Sequence, residues 1–515
     1  MKRRGFMKTC GIGSAAFLAP GLLAADPVFK LNERAKTYLS QVDPAIAAGP
    51  FADNWESLSK YQAPAWYQDA KFGIFIHWGV YSVPAFMSEW YPRMMYLQNN
   101  PAYWHHRLKW GPQDKFGYKD FIPMFKAEKF DADKWAELFK KAGAKYLVPV
   151  AEHHDGFAMY DCSFSEWTAA KMGPRRDIIR ELADAARRQG LVFGLSSHRA
   201  EHWWFLNGGR KFKSDVSDGR FESFYGPAQP EKAAIDEAYL KDWLARCCEL
   251  VDRYQPQVFW FDWWIEQPAF EPYRKKFASY FYNRAAQWGK GVVLNYKNKA
   301  FPEAAAVLDL ERSGLSEIRP LVWQTDTSVS YISWGYIDGD KFKTPKRLIH
   351  DLADIVSKNG VLLLNVGPKS DGAIPEQAEK ILLEIGKWLA VNGEAIYGTR
   401  PWKIFGEGPT RPGENKSYGA GEMFAHGLTE KDIRFTVKGN KLFAIVMGWP
   451  SDGRVAIKSL GKKSGLASGE ISSVRLLGSN TPALKFARDD NALSITLPSE
   501  KPCEHGIALE IMGLI

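Results

Sequence analysis

Asp262 is the residue whose surroundings in the sequence are best suited to chemistry. It follows the apolar run of residues 257–261 and precedes two tryptophans, Trp263 and Trp264. A carboxylate that ends a strand between aromatic rings suits a nucleophile for an anomeric carbon, because the rings exclude water and stack on a sugar. The alternative is an aspartate that only caps the turn after the strand.

Two adjacent histidines, His153 and His154, follow another apolar run at residues 144–151. Neighbouring side chains on an extended backbone point to opposite sides, so both rings rarely bind one metal ion. An imidazole both donates and accepts hydrogen bonds, which suits sugar hydroxyls better. A purely structural pair of buried histidines is the alternative.

The pairing of a polar group with an aromatic ring recurs twice near the N-terminal end of the chain. His77 precedes Trp78 at the end of an apolar run, and Glu89 precedes Trp90 in the segment that follows. In each pair the polar group could bind a hydroxyl while the ring stacks on the sugar. For Glu89, a solvated loop position is the simpler alternative.

Hydrolysis of a glycoside with retention needs a second carboxyl group, about 5–5.5 Å from the nucleophile, as acid and base. Glu311 is the candidate that we prefer, because it follows the predicted strand around residues 307–310. Glu266 and Glu317 are rival candidates. Glu311 could also be no more than an ion-pair partner of Arg312.

The elements that must position these side chains alternate between apolar strands and helices. Buried strands that alternate with helical patterns indicate a parallel sheet. Because about eight of them end in polar residues, we predict an α/β fold with a (β/α)₈-like TIM barrel. A doubly wound sheet is the rival, but the sequence lacks its glycine-rich phosphate loop. The predicted strands are residues 71–79, 144–151, 191–195, 257–261, 291–294, 307–308, 321–323 and 361–364.

After residue 395 the pattern changes to short segments in which apolar and polar residues alternate. Residues 399–415 are rich in glycine and proline and read as a connection. Period-two alternation with turns between the segments predicts a small C-terminal antiparallel β-sandwich. The six predicted strands are residues 433–437, 441–446, 455–457, 471–474, 492–497 and 506–511.

The N-terminus has the pattern of an export signal. Four basic residues in the first eight precede a small, apolar stretch at residues 11–25. The order Arg-Arg-x-Phe-Met-Lys resembles a bacterial twin-arginine signal, with an ordinary secretory signal as the alternative. We therefore predict a periplasmic or secreted protein. The predicted division is a signal peptide at 1–25, a catalytic barrel with an N-terminal lead-in at 26–395 and the sandwich at 396–515.

Composition excludes several classes of function. The chain of 515 residues is 45% hydrophobic and 25% charged, as ordinary globular proteins are. Its net charge of +9 is not concentrated in a basic arm, so we expect no nucleic-acid partner. No apolar run after the N-terminus is long enough to span a membrane. Five cysteines without metal-type spacing argue against a disulfide framework or a metal site, and nothing indicates an oligomeric state.

Six motifs in a fixed order resemble glycoside hydrolase family 29, the α-L-fucosidases. The resemblance covers residues 55–405 and implies a retaining double displacement, without a metal or other cofactor, at the end of a glycan chain. Its partner would be a fucose-containing oligo- or polysaccharide. The motifs are FGIFIHWG, SEWY, HHDGF, FWFD, SKNGVLLLNVGPKSDGAIP and NGEAIYGTRPW.

The resemblance also implies roles for individual residues. Asp262 would be the nucleophile, and Glu311, aligned by eye, the acid/base. Trp323 and Trp334 would be walls for the fucose methyl group. The residues expected around the rest of the sugar are His77, Glu89, Trp90, His153, His154, His198, Trp260 and Lys297.

Several positions depart from the family pattern. Glu152 stands where a lysine commonly precedes the histidine pair, and residues 196–198, Ser-Ser-His, replace a usual Tyr-Tyr-Ser. Trp263 follows the nucleophile in place of a glycine. Where Asn-x-Arg is common, Lys297 or Lys299 could supply the cation. These changes leave open an α-L-galactoside or a branched or sulfated fucose-containing glycan as the substrate. The tryptophan content and the C-terminal sandwich leave a carbohydrate-binding protein without catalysis as a further alternative.

Overall fold

Eight parallel strands form the centre of the N-terminal part of the protein. The computed structural model describes residues 29–410 and 427–514, so the predicted signal peptide lies outside the described residues. The strands are hydrogen-bonded in the order β6-β5-β4-β3-β2-β1-β8-β7. They are β1 (Phe72–Ile76), β2 (Tyr146–Glu152), β3 (Val192–Ser197), β4 (Val258–Phe261), β5 (Val293–Tyr296), β6 (Val307–Leu308), β7 (Trp323–Ser328) and β8 (Gly360–Val366).

The two outer strands of this order meet and close the sheet into a barrel. The backbone N–H of Leu310 donates to the carbonyl of Gln324 at 3.0 Å, and that of Arg312 donates to Asp326 at 2.8 Å. These bonds continue the parallel pairing just beyond β6. The predicted TIM-like barrel is therefore confirmed.

Helices follow six of the eight barrel strands. The connections from β5 to β6 and from β6 to β7 instead run as turns and irregular backbone. The helices are α1 (Glu33–Leu39), α2 (Val42–Ala47), α3 (Trp55–Leu58), α4 (Ala65–Ala70), α5 (Tyr91–Met94), α6 (Pro101–Lys109), α7 (Ala132–Lys141), α8 (Ile178–Arg188), α9 (Glu222–Tyr225), α10 (Glu237–Tyr254), α11 (Glu271–Trp288), α12 (Pro345–Ser357) and α13 (Glu376–Asn392).

Helix α8 shows why these segments are helical. Ile178, Leu182 and Ala186 recur every four residues and are all buried against the barrel. The side chain of Asp177 caps the helix, because it accepts a hydrogen bond from the backbone N–H of Arg180 at 2.9 Å. An apolar stripe behind a capping residue thus fixes both the face and the start of the helix.

Strand β7 is where the sequence prediction was wrong. We expected a strand over residues 321–323, but it begins at Trp323 and runs through polar residues to Ser328. Gln324 and Asp326 are buried in the barrel interior, where Gln324 accepts hydrogen bonds from Tyr67 at 2.8 Å and Tyr146 at 3.1 Å. A strand with polar residues facing inward lacks the continuous apolar run that marked its neighbours.

The C-terminal part consists of two antiparallel sheets, which confirms the predicted sandwich. Five strands pair in the order β13-β16-β11-β10-β9 and three in the order β12-β15-β14. Phe435, Ile495 and Leu509, which come from both sheets, lie in one buried cluster. The strands are β9 (Arg400–Glu407), β10 (Ile433–Lys438), β11 (Lys441–Val446), β12 (Arg454–Ile457), β13 (Ser473–Leu476), β14 (Lys485–Arg488), β15 (Leu493–Thr496) and β16 (Ile507–Met512).

Strands β9 and β14 were not predicted. Both lie at the edge of a sheet. Strand β9 contains Pro401 and Gly406, which are tolerated at an edge but made the segment look like a connection. Strand β14 has largely exposed side chains, so its sequence shows no clear alternation.

A buried ion cluster joins the barrel to the sandwich. Asp354 of α12 accepts from Lys358 at 2.7 Å and from Arg434 of β10 at 2.6 Å, and all three side chains are almost completely buried. Nearby, the indole N–H of Trp388 donates to the carbonyl of Gly506 at 2.9 Å. The two parts are therefore held together by specific polar contacts as well as by packing.

No helix within residues 29–410 and 427–514 is long and apolar enough to cross a membrane. The cysteines of these ranges are unpaired, and three of them, Cys162, Cys247 and Cys248, are buried.

Candidate active site

A small pocket opens at the carboxyl ends of the barrel strands. It encloses about 120 Å³, well below the roughly 300–1,000 Å³ of sites for drug-sized ligands. Its walls contain eleven of the twelve side chains selected from the sequence, together with Trp263 and Asp326. The eleven are His77, Glu89, Trp90, His153, His154, His198, Trp260, Asp262, Lys297, Glu311 and Trp334.

Trp323 is the selected residue that the structure does not bring to the pocket. Because β7 starts at Trp323, this side chain lies at the opposite end of the barrel from the site. Its indole N–H donates to the carbonyl of Lys358 at 2.9 Å, just before β8. The expected role of Trp323 as a wall for a sugar was wrong, and the residue belongs to the packing between β7, β8 and α12.

Asp262 follows β4 directly and is held by three donors. Oδ1 accepts from Nζ of Lys297 at 3.1 Å and from the backbone N–H of Trp263 at 2.8 Å, and Oδ2 accepts from Nδ1 of His198 at 3.0 Å. Burial would raise the pKa of Asp262, but Lys297 and His198 outweigh it and hold that pKa well below its usual range. Asp262 is therefore an oriented carboxylate.

Glu311 lies across Lys297 from Asp262. The Nζ of Lys297, which follows β5, is 3.1 Å from Oδ1 of Asp262 and 2.6 Å from Oε2 of Glu311. These distances limit the separation of Oδ1 of Asp262 and Oε2 of Glu311 to at most about 5.7 Å, which is compatible with the 5–5.5 Å between the carboxyl groups of retaining glycosidases. The sequence had left Lys299 as an alternative cation, but that residue is exposed.

A tight turn positions the histidine pair. The backbone N–H of Gly156 donates to the carbonyl of His153 at 3.1 Å, and Gly156 has a φ of 80°, which favours glycine. A Cβ at this position would lie 2.5 Å from the ring of His202. The side chain of Asp155 closes the turn by accepting from the backbone N–H of Phe157 at 3.1 Å. The HHDG motif is thus needed for the local backbone geometry.

His77 and His153 are neutral imidazoles in the pocket. The Nδ1–H of His77 donates to Oδ1 of Asn365 at 2.8 Å, which leaves its Nε2 as an acceptor. Burial, followed by the neighbouring histidines, lowers the pKa of both rings well below the usual value. Burial also lowers the pKa of His198 to about 4, and its Nε2 accepts from Oγ of Ser196 at 3.0 Å.

His154 differs from the other histidines in its charge. Burial alone would lower its pKa, but the carboxylate of Glu201, aided by Asp262, raises it to about 9. The Nδ1 of His154 lies 3.2 Å from Oε2 of Glu201, and its Nε2 lies 3.6 Å from Oδ2 of Asp262. Sequence reasoning missed Glu201, which stands three residues after the His198 that it selected.

Glu89 supports the aromatic wall of the pocket. Its Oε2 accepts from Oγ of Ser333 at 3.0 Å and from the backbone N–H of Trp334 at 2.9 Å. These bonds anchor the loop that carries Trp334 into the pocket. The guanidinium of Arg312 stacks on that indole, 4.6 Å from the ring centroid. Trp90, next to Glu89, packs its ring against His154 at 5.3 Å.

A second pair of carboxyl groups, Asp309 and Asp326, lies beneath Lys297. The indole N–H of Trp260 donates to Oδ2 of Asp309 at 2.7 Å, and Oδ2 of Asp326 is 3.8 Å from Nζ of Lys297. Burial raises the pKa of Asp309 to about 6, and burial together with Asp309 raises that of Asp326 well above its usual value. The raised pKa values favour protonation of this pair, and a protonated pair leaves Lys297 available to Asp262 and Glu311.

Glu152, the departure from the usual lysine, points away from the pocket. Its carboxylate is buried between Arg199, at 2.7 Å, and Arg246, at 3.3 Å. Asp242, which lies in α10, forms ion pairs with the same two arginines. The substitution therefore belongs to a buried ion network behind the site, not to the lining of the pocket.

Two groups of side chains in the described part of the chain could offer ligands to a metal ion, His77–His153–His198 and His154–His198–Asp262. In the second group, Asp262 is already neutralised by Lys297, whose ammonium would repel a divalent cation at that short range. The first group lacks a carboxylate, and its neutral imidazoles suit sugar hydroxyls as acceptors and donors.

The fold and the pocket define a class of protein: a barrel glycoside hydrolase with paired carboxyl groups. Comparison with known proteins gives the family. The sequence model of the family described as "Alpha-L-fucosidase" matches residues 38–394, and that of the "Alpha-L-fucosidase C-terminal domain" matches residues 427–512. The chain belongs to the α-L-fucosidase family of glycoside hydrolases, as the sequence motifs predicted.

Relatives and solved structures agree with this assignment. Plasma α-L-fucosidase of Pongo abelii is 33% identical over 92% of this chain and 95% of its own length. Plasma α-L-fucosidase of Homo sapiens is 32% identical over 92% and 94%. The crystal structure of Thermotoga maritima α-fucosidase in complex with fucose matches with a TM-score of 0.70 and 30% identity, covering 89% of this chain and 99% of that one.

Proposed function

We propose that this protein removes terminal α-L-fucose from glycans by hydrolysis with retention. The observation that carries the proposal is that Asp262 and Glu311 both contact the ammonium of Lys297, which brings the two carboxyl groups close enough for the separation that retention requires. The identity of the sugar is inferred from the named relatives, which are α-L-fucosidases. The partner is therefore a fucose-containing oligo- or polysaccharide.

In the first step, the carboxylate of Asp262 attacks the anomeric carbon. The carbon–oxygen bond to the leaving group breaks as Glu311 gives its proton to that oxygen, and a fucosyl ester of Asp262 forms. Lys297 keeps Asp262 ionised until attack, because its ammonium favours the charged form of the carboxylate.

In the second step, the Glu311 carboxylate takes a proton from water. The resulting hydroxide oxygen attacks the same carbon, the bond to Asp262 breaks, and α-L-fucose leaves with its original configuration. Two inversions at one carbon give net retention. The neutral imidazoles of His77 and His153 and the cation of His154 bind the sugar hydroxyls during both steps.

The size of the pocket supports action at chain ends. A cavity of about 120 Å³ with Trp334 and Trp90 in its walls has room for one sugar ring and not for a continuous chain. The leaving group must then lie outside, on the side of Glu311. We further propose export to the periplasm or beyond, on the basis of the N-terminal twin-arginine pattern.

The test is release of nitrophenol from p-nitrophenyl α-L-fucoside, with Asp262→Ala as the inactive control. Proton NMR of the first product should show the α anomer before mutarotation. Release of the β anomer would contradict retention. Inactivity on this substrate and on a panel of fucosylated oligosaccharides would contradict the fucosidase assignment, and turnover by Asp262→Ala close to that of the wild type would exclude Asp262 as the nucleophile.

A further inference from the structure

Glu201 is a buried carboxylate that the reaction above does not use. It lies in the helical turn Arg199–Trp203 that follows β3, and none of its surface is exposed. Neither of its side-chain oxygens has a hydrogen-bond partner within the described residues. A charge buried in this way is costly unless an opposite charge lies beside it. The group that can supply that charge is His154, 3.2 Å away.

His154 stands between two carboxylates. Its Nδ1–H points to the backbone carbonyl of His198 at 3.0 Å, with Oε2 of Glu201 next to the same nitrogen. On the pocket side, Nε2 lies 3.6 Å from Oδ2 of Asp262. The carbonyl fixes the proton on Nδ1, so a second proton can only be carried on Nε2, which faces the sugar site.

The other charged and titratable groups around His154 do not replace Glu201. His153 and His198 are neutral, and Asp262 is shared with Lys297. Asp155 has its pKa raised by burial to about 6, and its Oδ2 accepts from Tyr118 at 2.6 Å. The remaining neighbours are the rings of Trp90 and Phe205. Burial raises the pKa of Glu201 itself to about 7, with His154 opposing the rise, so above that pH the charge of Glu201 is present beside His154.

We propose that Glu201 is a positioning residue that keeps His154 doubly protonated, so that its Nε2–H is a constant donor to a fucose hydroxyl. This inference rests on the proposed function for the identity of the sugar. The charged His154 then acts twice, because it binds the substrate and also helps to keep Asp262 ionised. Glu201 touches neither the sugar nor the reacting atoms.

The experiment compares the wild-type chain with Glu201→Gln, which keeps the shape of the side chain and removes its charge. Nitrogen-15 NMR of labelled histidines follows the protonation of His154, whose signal is assigned by its loss in His154→Asn. Glu249→Gln is the matched control, since Glu249 is also buried but bonds to the backbone of Ser163, away from the pocket. Calorimetry with L-fucose at pH 5.5 and pH 8 measures binding.

In the wild type, His154 should carry both protons at pH 7.5 and titrate near pH 9. In Glu201→Gln its titration should move down by at least about one pH unit, since one unit corresponds to the loss of a single favourable charge contact. Fucose affinity at pH 8 should fall with the fraction of doubly protonated His154, about twofold for a shift of one unit and about tenfold for a shift of two units, and it should recover at pH 5.5, where acid restores the proton. Glu249→Gln should change neither quantity.

A neutral His154 in the wild type, or an unchanged titration in Glu201→Gln, would overturn the proposal. So would a loss of affinity that is equal at both pH values, because that result indicates a purely structural role. The NMR titration uses the free protein. If it behaves as expected and the wild type binds no fucose, the fucosidase assignment fails while the charge pairing of Glu201 with His154 stands.

Discussion

The ammonium group of Lys297 lies 2.6 Å from the carboxylate of Glu311. The same nitrogen is 3.1 Å from Asp262, so one cation joins the two carboxyl groups on which the proposed reaction depends. Lys297 is almost completely buried, and its charge is therefore poorly screened by water or salt. This one side chain holds the two carboxyl groups close together and keeps Asp262 ionised.

Lys297→Met should lower kcat/KM by at least about a hundredfold, comparable with the loss of a single oriented donor at other active sites. Without the ammonium, burial raises the pKa of Asp262, so the acid side of the pH–rate profile should move to higher pH. Steady-state kinetics on an aryl α-L-fucoside between pH 4 and pH 9 measure both effects. Lys299→Met is the control, because Lys299 is exposed and should leave the profile unchanged.

Glu311→Ala should lower turnover of p-nitrophenyl α-L-fucoside by about a hundredfold or more, the usual contribution of a general acid. A dinitrophenyl fucoside needs less protonation of its leaving group, so the turnover of this substrate should fall much less in Glu311→Ala. Added azide should accelerate Glu311→Ala and give the α-L-fucosyl azide, because it attacks the ester on Asp262. Asp262→Ala with azide should give the β product by a single displacement.

The matched control for this experiment is Glu266→Gln. Glu266 was a rival candidate, but it accepts from the side chain of Asn298 at 3.0 Å and does not line the pocket. The turnover of Glu266→Gln should stay within about twofold of that of the wild type. If Glu266→Gln loses activity and Glu311→Ala does not, the acid/base assignment is wrong.

Trp334 and Trp323 should respond in opposite ways to substitution. Trp334→Ala removes a pocket wall and should raise KM at least tenfold, about 1.4 kcal/mol of binding free energy. Trp323→Phe should leave KM unchanged but lower the free energy of unfolding by about 1–3 kcal/mol, since the carbonyl of Lys358 loses its donor. Kinetics and urea unfolding of both variants separate the two roles. A raised KM in Trp323→Phe would contradict its placement away from the pocket.

Asp354→Ala should destabilise the fold without altering the site. The change leaves Lys358 and Arg434 buried without their shared carboxylate, at a cost of about 3–5 kcal/mol. Thermal unfolding followed by circular dichroism measures the loss, and kcat/KM of the folded fraction at 25 °C should stay near the wild-type value. Asp490→Ala, which removes an exposed ion pair with Lys463, should cost less than about 1 kcal/mol.

Most of the barrel could be predicted because seven of its strands are runs of apolar residues buried on both faces. Strand β7 is the exception, since the inward-facing Gln324 and Asp326 bond to side chains from distant parts of the barrel. Strand β9 was missed for a different reason, because its proline and glycine are acceptable only at a sheet edge. Both errors concern tertiary context that no local pattern contains.

The pocket could be predicted where residue type and position at a strand end coincide, as for Asp262 and His153. Glu201 carries no such signal. Glu201 matters through its distance from His154, 47 positions earlier in the chain, and Asp326 sits within a strand whose extent was mispredicted. Trp323 was wrongly included for the same reason, as the start of β7 was taken for its end.

The small size of the pocket determines which concentration sets the rate of hydrolysis of a polymer. A site that admits one terminal ring recognises the number of accessible chain ends and not the mass of polysaccharide in solution. Two preparations of equal weight concentration should therefore be hydrolysed at rates in proportion to their molar content of terminal fucose. Each turnover also removes the end that was recognised, so the rate on a chain that carries a single terminal fucose falls as these ends are consumed, whatever length of polymer remains.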